Sequence, residues 1–449
     1  MKKLSKRALD YHKGGKLSVQ IRKKMDTQDD LGLAYTPGVA DVCREIVRDK
    51  NLAYKYTNKW NSVAVITDGT AVLGLGNIGP LASIPVMEGK AVLFKKFAGV
   101  DAWSVPIAGV RIGKGDGKLT NNITGKKELI NYTSGDHVSS KTDIEKFIFI
   151  AKAVSLQYGG INLEDIAAPA CFEIEERLKK ELDIPVFHDD QHGTAIVTLA
   201  AIMNYLRITS KKISDIKIVI LGAGAAGISV ASLLRYSGAK KIILCDSKGV
   251  IHSGRKDLNR WKQKFAVRTD ARTPEDAFVG ADVFIGVSRP GIVTKDMIAS
   301  MAENPAVFPM SNPVAEIWPK DVREIRDDAI IATGRSDSAN QVNNVLVFPY
   351  IFRGALDTQA SDINYDMYIA AADALAEVAR KKVPKKILES YGLDSLEFGR
   401  DYFIPKPFDK RVFVNVSHAV AKAAIESGVA RKKIDLDKYK KKLIETDRH

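Results

Sequence analysis

The stretch IKIVILGAGAAG, residues 216–227, decides the fold class of the second half of the chain. Its apolar run is typical of a buried strand, and the Gly-x-Gly-x-x-Gly turn leads into a helical pattern over residues 228–236. A second apolar run, residues 241–245, ends in Asp246. Strand, glycine turn, helix, strand and terminal acid form the complete signature of a dinucleotide-binding unit, so we predict a Rossmann-like sheet here.

Four residues of the turn are predicted to contact the cofactor: Gly222, Gly224, Ala225 and Gly227. The first glycine permits the tight turn, the second lets the pyrophosphate approach the helix N-terminus, and the last lets the helix pack on the strand. Asp246 is predicted to accept hydrogen bonds from the adenosine ribose and to repel a 2′-phosphate, which favours NAD. Lys248 stands close enough in sequence to offset that repulsion, so NADP remains open.

The stretch PVFHDDQHGTA, residues 185–195, precedes this unit and is predicted to join the two halves of the chain. Its apolar start is typical of a short buried strand, and Gly193 and Thr194 open a helical pattern. Between them, Asp189 and Asp190 stand at the carboxyl end of the strand, where open α/β sheets collect their ligands. Adjacent carboxylates at such a place repel each other unless a cation lies there.

A second acidic pair, Glu164 and Asp165, lies in another short predicted strand segment, residues 161–169. A charged helix predicted at residues 172–182 connects the two segments. One short β–α–β unit therefore carries an acidic pair at each strand end, and we predict that the two pairs share one cation.

Two further side chains are candidates for chemistry. Lys90 directly precedes the apolar residues 91–94, so it is either a snorkelling stem or a functional amine with a lowered pKa. Tyr35 lies in a loop beside the turn signal of Pro37 and before a helix predicted at residues 39–47. A ring packed into the core is the structural alternative for Tyr35.

Length, composition and charge are those of a multidomain intracellular protein. The 449 residues are 45% hydrophobic and 27% charged, as in ordinary globular chains. The net charge of +14 favours an anionic small molecule, since no aromatic-interleaved basic stripe predicts nucleic-acid binding. The three cysteines stand far apart, no apolar run reaches membrane-spanning length, and the N-terminus lacks an apolar signal core. We expect a cytoplasmic protein that binds neither nucleic acid nor membrane.

The predicted fold class is α/β, with an N-terminal α/β domain followed by a doubly wound, Rossmann-like domain. Residues 1–193 are assigned to a substrate and metal domain with an inserted, turn-rich lobe at about 104–142. Residues 194–430 are assigned to the dinucleotide domain, and residues 431–449 to a basic helical tail. Strands predicted at 281–288, 306–313 and 330–337 end in small polar residues, and Ser288 is a predicted cofactor contact. A homodimer is expected because two-fold homo-oligomers are common.

Eight motifs together resemble the short, bacterial-type malic enzymes over almost the whole chain. They are YTPGVA (35–40), TDGT (67–70), GLGNIG (74–79), MEGK (87–90), NLEDI (162–166), FHDDQHGT (187–194), GAGAAG (222–227) and TGRSD (333–337). The resemblance implies oxidative decarboxylation of (S)-malate to pyruvate and CO₂ with NAD or NADP. It also implies Mg²⁺ or Mn²⁺ held by Glu164, Asp165 and Asp190.

The resemblance further implies roles for five side chains. Lys90 is the general base, with a pKa lowered by burial and by the cation, and Asp189 orients or helps to deprotonate it. Tyr35 protonates the enol at C3. Asn312 and Asn343 match amide positions that the family uses for substrate and nicotinamide.

Two departures from the family pattern bear on substrate affinity. Ala170 stands where the short members have an arginine, which removes a cation near the metal site. Ser338 and Ala339 stand where they have an aromatic residue and a proline, which loosens a loop.

Two alternatives remain beside oxidative decarboxylation. The same scaffold suits a malolactic enzyme, which releases lactate, or an enzyme that decarboxylates oxaloacetate. The departures and the basic charge also suit a catalytically weak dinucleotide-binding protein.

Overall fold

The computed structural model describes residues 2–108, 110–112, 118–120, 127–129, 141–312, 314–335 and 337–446. Most of the lobe predicted at about 104–142 lies outside the described residues, as do Ser336 of the TGRSD motif and Pro313 at the end of a predicted strand.

The strands, in chain order, are β1 (Ser62–Thr67), β2 (Asp101–Pro106), β3 (Arg111–Ile112), β4 (Lys118–Thr120), β5 (Lys127–Leu129), β6 (Lys141–Thr142), β7 (Gly160–Leu163), β8 (Val186–His188), β9 (Lys217–Leu221), β10 (Lys241–Asp246), β11 (Gly249–Val250), β12 (Val283–Gly286), β13 (Ala306–Pro309) and β14 (Ile330–Ile331).

The α-helices are α1 (Lys2–His12), α2 (Gln28–Ala34), α3 (Val39–Arg48), α4 (Ala53–Tyr56), α5 (Gly79–Ala98), α6 (Ile144–Val154), α7 (Ala170–Glu181), α8 (Thr194–Thr209), α9 (Ala225–Tyr236), α10 (Arg260–Gln263), α11 (Pro274–Phe278), α12 (Lys295–Ala299), α13 (Pro319–Arg323), α14 (Phe348–Asp357), α15 (Tyr365–Arg380), α16 (Lys385–Ser390), α17 (Arg411–Glu426) and α18 (Leu436–Thr446). A π-helical turn, Asp189–Gly193, joins β8 to α8.

The first sheet is parallel and has the strand order β2-β1-β7-β8. Every residue of β1, β7 and β8 is buried, which explains why these strands are continuous apolar runs without alternation. Leu163 of β7 pairs with His188 of β8, so both strands end at the same level. This register brings the residues that follow the two strands to one edge of the sheet.

The second sheet has the order β11-β10-β9-β12-β13-β14. Five of these strands are parallel, and β11 alone runs antiparallel to its neighbour. The chain moves outward from β9 first to β10 and then, on the other side, to β12, which confirms the predicted doubly wound class. The cleft for a ligand in such a sheet lies beyond the carboxyl ends of β9 and β12.

Helix α5 was not predicted, although it carries Lys90. Pro85 lies inside this helix and masked its periodicity in the sequence. Its Phe94 packs edge-on against Phe348 and Phe352 of α14, with ring centroids 4.8 and 5.3 Å apart. The core beside the first sheet is therefore completed by a helix that follows the second sheet in the chain. Within the described ranges, no helix combines the length and apolar character that a membrane crossing requires.

Candidate active site at the edge of the first sheet

The shared edge of β7 and β8 brings the two acidic pairs together. One carboxylate oxygen from each of Glu164, Asp165 and Asp190 lies within 4.8 Å of the other two. The backbone N–H of Asp165 donates a hydrogen bond of 2.8 Å to Oδ2 of Asp190, which fixes the spacing between the pairs. Asp165 adopts a left-handed backbone conformation with φ 55°. The predicted strand ends therefore converge on a three-carboxylate cluster.

Two of the three carboxylates in this cluster are buried and Asp190 is partly exposed, so their negative charges repel one another with little screening. Glu164 and Asp165 are buried, and Oδ2 of Asp165 has no hydrogen-bond partner among the described residues. Burial, together with the charge of Asp190, raises the pKa of Asp165 to about 8. Burial likewise raises the pKa of Glu164. The three carboxylates supply hard oxygen donors, and Oδ2 of Asp165 is buried without a hydrogen bond from any described residue, which fits a divalent cation such as Mg²⁺ or Mn²⁺.

Lys90 extends from α5 into the same cluster. Its buried ammonium contacts the carboxylate of Asp189 and lies 3.1 Å from Oε1 of Glu164. Beneath it, the ring centroid of Phe348 is 4.4 Å from Nζ. Burial by itself lowers the pKa of Lys90, but Asp189 and Glu164 outweigh burial and raise it above the ordinary lysine value. The lowered pKa was predicted for Lys90 beside a bound cation, and it stays a prediction.

Two side-chain amides contact this site in the described part of the chain, and the sequence predicted neither. Nδ2 of Asn162 donates to Oε2 of Glu164 at 2.8 Å, and the second amide is that of Asn344. Nδ2 of Asn344 donates to Oδ2 of Asp189, on the same oxygen that contacts Lys90.

The predicted Asn343 instead caps the following turn through Val345 N–H, 2.9 Å away, and donates to a backbone carbonyl. Asn343 and Asn344 are adjacent in one polar run, and the role predicted for Asn343 toward substrate and nicotinamide stays a prediction.

Tyr35 differs from the other predicted catalytic residues in its exposure to solvent. Its side chain is 67% exposed, and its backbone N–H ends α2 by donating to Leu31 O at 3.0 Å. The ring is therefore not packed into the core, and the loop between α2 and α3 presents it to solvent.

The glycine turn after β9 has the close contacts predicted for a dinucleotide fold. Gly222 has φ 113°, and a Cβ there would lie 2.3 Å from the carbonyl oxygen of Val287. A Cβ on Gly227 would lie 1.7 Å from the carbonyl oxygen of Gly222, so α9 packs directly on the turn. Nothing lies within 4 Å of the corresponding position on Gly224 in the described part of the chain. Together with Ala225 at the start of α9, this leaves backbone accessible to a pyrophosphate.

Ser288 and Asn312 follow the neighbouring strands β12 and β13. The backbone N–H of Ser288 donates to Oε1 of Glu316 at 2.9 Å, and that of Ser311 donates to Oε2 at 3.1 Å. A Cβ on Gly334 would lie 2.8 Å from Nδ2 of Asn312, so the loops after β13 and β14 touch. The buried Glu316, which sequence reasoning missed, ties the predicted Ser288 to Ser311, the residue before the predicted Asn312.

Asp246 lies at the end of β10, as predicted, and its carboxylate accepts hydrogen bonds from two neighbouring cations. Arg255 donates to both of its oxygens at 2.7 and 3.1 Å, and Nζ of Lys262 lies 2.6 Å away. The backbone N–H of Lys248 donates at 2.9 Å. Burial alone raises the pKa of Asp246, yet the bonds from Arg255 and Lys262 outweigh it and lower the pKa to about 2. Two cations contact Asp246 and offset the predicted repulsion of a 2′-phosphate, and the preference between NAD and NADP stays a prediction.

Comparison with known proteins gives concordant results for both halves of the chain. Residues 14–179 match the family model of the malic enzyme N-terminal domain, and residues 191–390 match that of the malic enzyme NAD-binding domain. An NADP-dependent malic enzyme from Halomonas elongata is 53% identical over 430 residues, which cover 95% of this chain and 94% of that protein. A bifunctional malic/malolactic enzyme from Bacillus subtilis is 49% identical and is covered to 97%.

A crystal structure of the malic enzyme from Pyrococcus horikoshii Ot3 has a similar fold. The two structures align with a TM-score of 0.84 at 39% sequence identity, and the alignment covers 99% of this chain and 96% of the Pyrococcus horikoshii chain. Other curated relatives are longer: the chain spans 54% of one and 55% of another, about half of their length.

Proposed function

This chain belongs to the malic enzyme family, and from that premise we propose that it oxidises malate, releases CO₂ and forms pyruvate while it reduces a nicotinamide dinucleotide. The observation that carries the proposal is the convergence of Glu164, Asp165 and Asp190 beside the buried ammonium of Lys90. A cluster of hard oxygen donors suits a divalent cation, and an adjacent ammonium suits proton transfer with a substrate oxygen.

The three carboxylates are the proposed holders of Mg²⁺ or Mn²⁺. A nicotinamide bound in the second domain would first take the hydride from C2, and a cation held by these carboxylates would then polarise the resulting C2 carbonyl so that it accepts the electron pair released with CO₂. The protein contributes a preorganised, buried arrangement of charges around these groups.

Lys90 is proposed to exchange the proton of the 2-hydroxyl group of malate. Asp189, itself held by Nδ2 of Asn344, accepts from the ammonium on one side, and Phe348 covers the ammonium from another, so Nζ has a defined position. Because the surrounding carboxylates keep Lys90 protonated, it can act as a base only when added positive charge offsets them. Tyr35, on its exposed loop, is proposed to protonate C3.

NADP is the proposed cofactor. Arg255 and Lys262 pair with Asp246. Asp257 pairs with the same Arg255 and with Lys248. Three cations thus meet two carboxylates, which leaves one excess positive charge at the position where the adenosine ribose binds in this fold. Arginine and lysine at that position accommodate a 2′-phosphate. The Halomonas elongata relative is named for the same cofactor.

The test follows reduced nicotinamide by its absorbance with malate and Mn²⁺, with either NAD or NADP, and with chelator as the control. We expect chelator-sensitive reduction, faster with NADP, with pyruvate as product. Folded protein that reduces neither dinucleotide would contradict the proposal. Lactate formed without net reduction would instead support malolactic activity, which the name of the Bacillus subtilis relative makes the second candidate.

A further inference from the structure

Glu175 is a buried carboxylate on α7 that lies outside the three-carboxylate cluster. It is 5% exposed, and both of its oxygens point at the turn that carries Asp189 and Asp190. Oε1 accepts the backbone N–H of His188 at 3.2 Å. Oε2 accepts Nε2 of Gln191 at 3.1 Å and lies 2.8 Å from Nε2 of His192. One side chain thus contacts the residues on both sides of the acidic pair.

A carboxylate suits this position because it only accepts hydrogen bonds. Three N–H groups converge on it, and an ionised glutamate has enough lone pairs for all of them. A glutamine of the same shape would turn an NH₂ group toward at least one of these donors. The turn would then contain a buried donor without an acceptor, which a packed interior tolerates poorly.

The opposite side of the turn is held by the dinucleotide half of the chain. Nδ1 of His192 lies 3.1 Å from Oγ of Ser229 on α9, and the ring stacks on Tyr368 with centroids 4.8 Å apart. A Cβ on Gly193 would lie 1.9 Å from Oδ1 of Asp189, so the turn has no room to shift inward. The π-helical turn is therefore clamped between α7 and α9.

We propose that Glu175 is a positioning residue, which holds the turn so that Asp190 stands at the spacing required by the cation. The inference rests on the proposed function, because it takes Asp190 as a cation ligand. Partners that orient a ligand from outside the coordination shell typically contribute about 10- to 100-fold to metal affinity.

The experiment measures Mn²⁺ binding to the full chain by electron paramagnetic resonance of free Mn²⁺. We expect Glu175→Gln to raise the Mn²⁺ Kd at least about tenfold. NADP binding, followed by protein fluorescence, should change less than about twofold because α9 keeps its own contacts. Glu173→Gln is the matched control, two residues earlier on the same helix and with a side chain 37% exposed; its Mn²⁺ Kd should equal that of the wild type.

An unchanged Mn²⁺ Kd in folded Glu175→Gln would overturn the inference. An equal loss of Mn²⁺ and NADP affinity would also overturn it, because such a loss indicates a general packing role for Glu175. If that variant does not fold, Gln191→Met tests the inference instead. It removes one donor to Glu175 and should raise the Mn²⁺ Kd about threefold. An unchanged Mn²⁺ Kd in Gln191→Met would contradict the positioning role.

The two proposals can fail separately. If the wild-type protein does not reduce a dinucleotide with malate, the proposed function is wrong. If that same protein still binds Mn²⁺ more tightly than Glu175→Gln, the positioning role is supported.

Discussion

The ammonium nitrogen of Lys90 lies 3.1 Å from Oε1 of Glu164, so the proposed proton-transfer group and a proposed cation ligand share one contact. The ammonium and a divalent cation therefore compete for the same carboxylate. Coulomb repulsion between positive charges this close is large even with the screening found near protein surfaces. This competition gives the site a testable signature.

Replacement of Lys90 by methionine should move two measurements in opposite directions. Malate turnover should fall by about 10²- to 10⁴-fold, the usual contribution of a positioned acid–base group. Mn²⁺ should bind on the order of tenfold more tightly, because a neighbouring positive charge is gone. Lys95→Met is the control on the same helix, since that side chain is 60% exposed. Unchanged turnover in Lys90→Met would exclude the proposed role.

Removal of the cation should lower the stability of the wild-type protein. Mn²⁺ at about 100 times its Kd should raise the free energy of unfolding by about 2.7 kcal/mol, because it binds only the folded cluster. A thermal-shift titration with and without chelator measures this. Asp190→Asn removes one charged ligand and should lose most of the shift, and a full shift in that variant would argue against the assigned ligand.

Substitution of Arg255 by glutamine should separate the two dinucleotides. The NADP Kd should rise at least about tenfold, since a charge-assisted bond to the 2′-phosphate is lost, while the NAD Kd stays within about twofold. Arg260→Gln, with an exposed guanidinium on α10, serves as the control. Equal losses for both dinucleotides would mean that Arg255 acts only through its pairing with Asp246.

The paired Asp246 predicts a pH-dependent contribution to stability. Its pKa is lowered to about 2 from an ordinary value of 3.8, so its charged form stabilises the fold above pH 4. That contribution is lost as the pH falls from about 4 toward 2. The difference in urea midpoint between wild type and Asp246→Asn should therefore be constant from pH 7 to 5 and shrink by pH 3. A difference in urea midpoint that grows as the pH falls would contradict the predicted direction of the effect.

Replacement of Tyr35 by phenylalanine should lower turnover without changing Mn²⁺ affinity. The exposed ring is outside the carboxylate cluster, so loss of its hydroxyl should leave the cluster intact. A reduction of at least about 10²-fold is expected if the hydroxyl protonates C3. Tyr56→Phe, on the neighbouring short helix α4, is the control, and wild-type turnover in Tyr35→Phe would assign the proton to another donor.

The fold class and the converging acids were predictable because each rests on local pattern. An apolar run identifies a parallel strand, and parallel strands deliver their following residues to one edge. This is why Glu164 and Asp190 could be expected together before their geometry was known.

The missing elements depend on contacts distant in sequence. Arg255 and Lys262 reach Asp246 only through the path of the chain beyond β10, which no periodicity encodes. Glu175 looks like any acid of a charged helix until the turn at 189–193 folds against it. The amide of Asn344 reaches Asp189 whereas that of Asn343 bonds to backbone, a difference that the sequence of two adjacent asparagines does not encode.

The return of α14 to the first sheet has a consequence for biosynthesis. Phe348, which covers the ammonium of Lys90, and Phe352, which packs on Phe94, are translated after every strand of both sheets. A nascent chain that has just completed β14 therefore already carries Lys90 and the three acids of the cluster, but not Phe348, which lies beneath the ammonium. The site around Lys90 is complete only after α14 has been synthesised, so no truncated product that ends before residue 348 should be active.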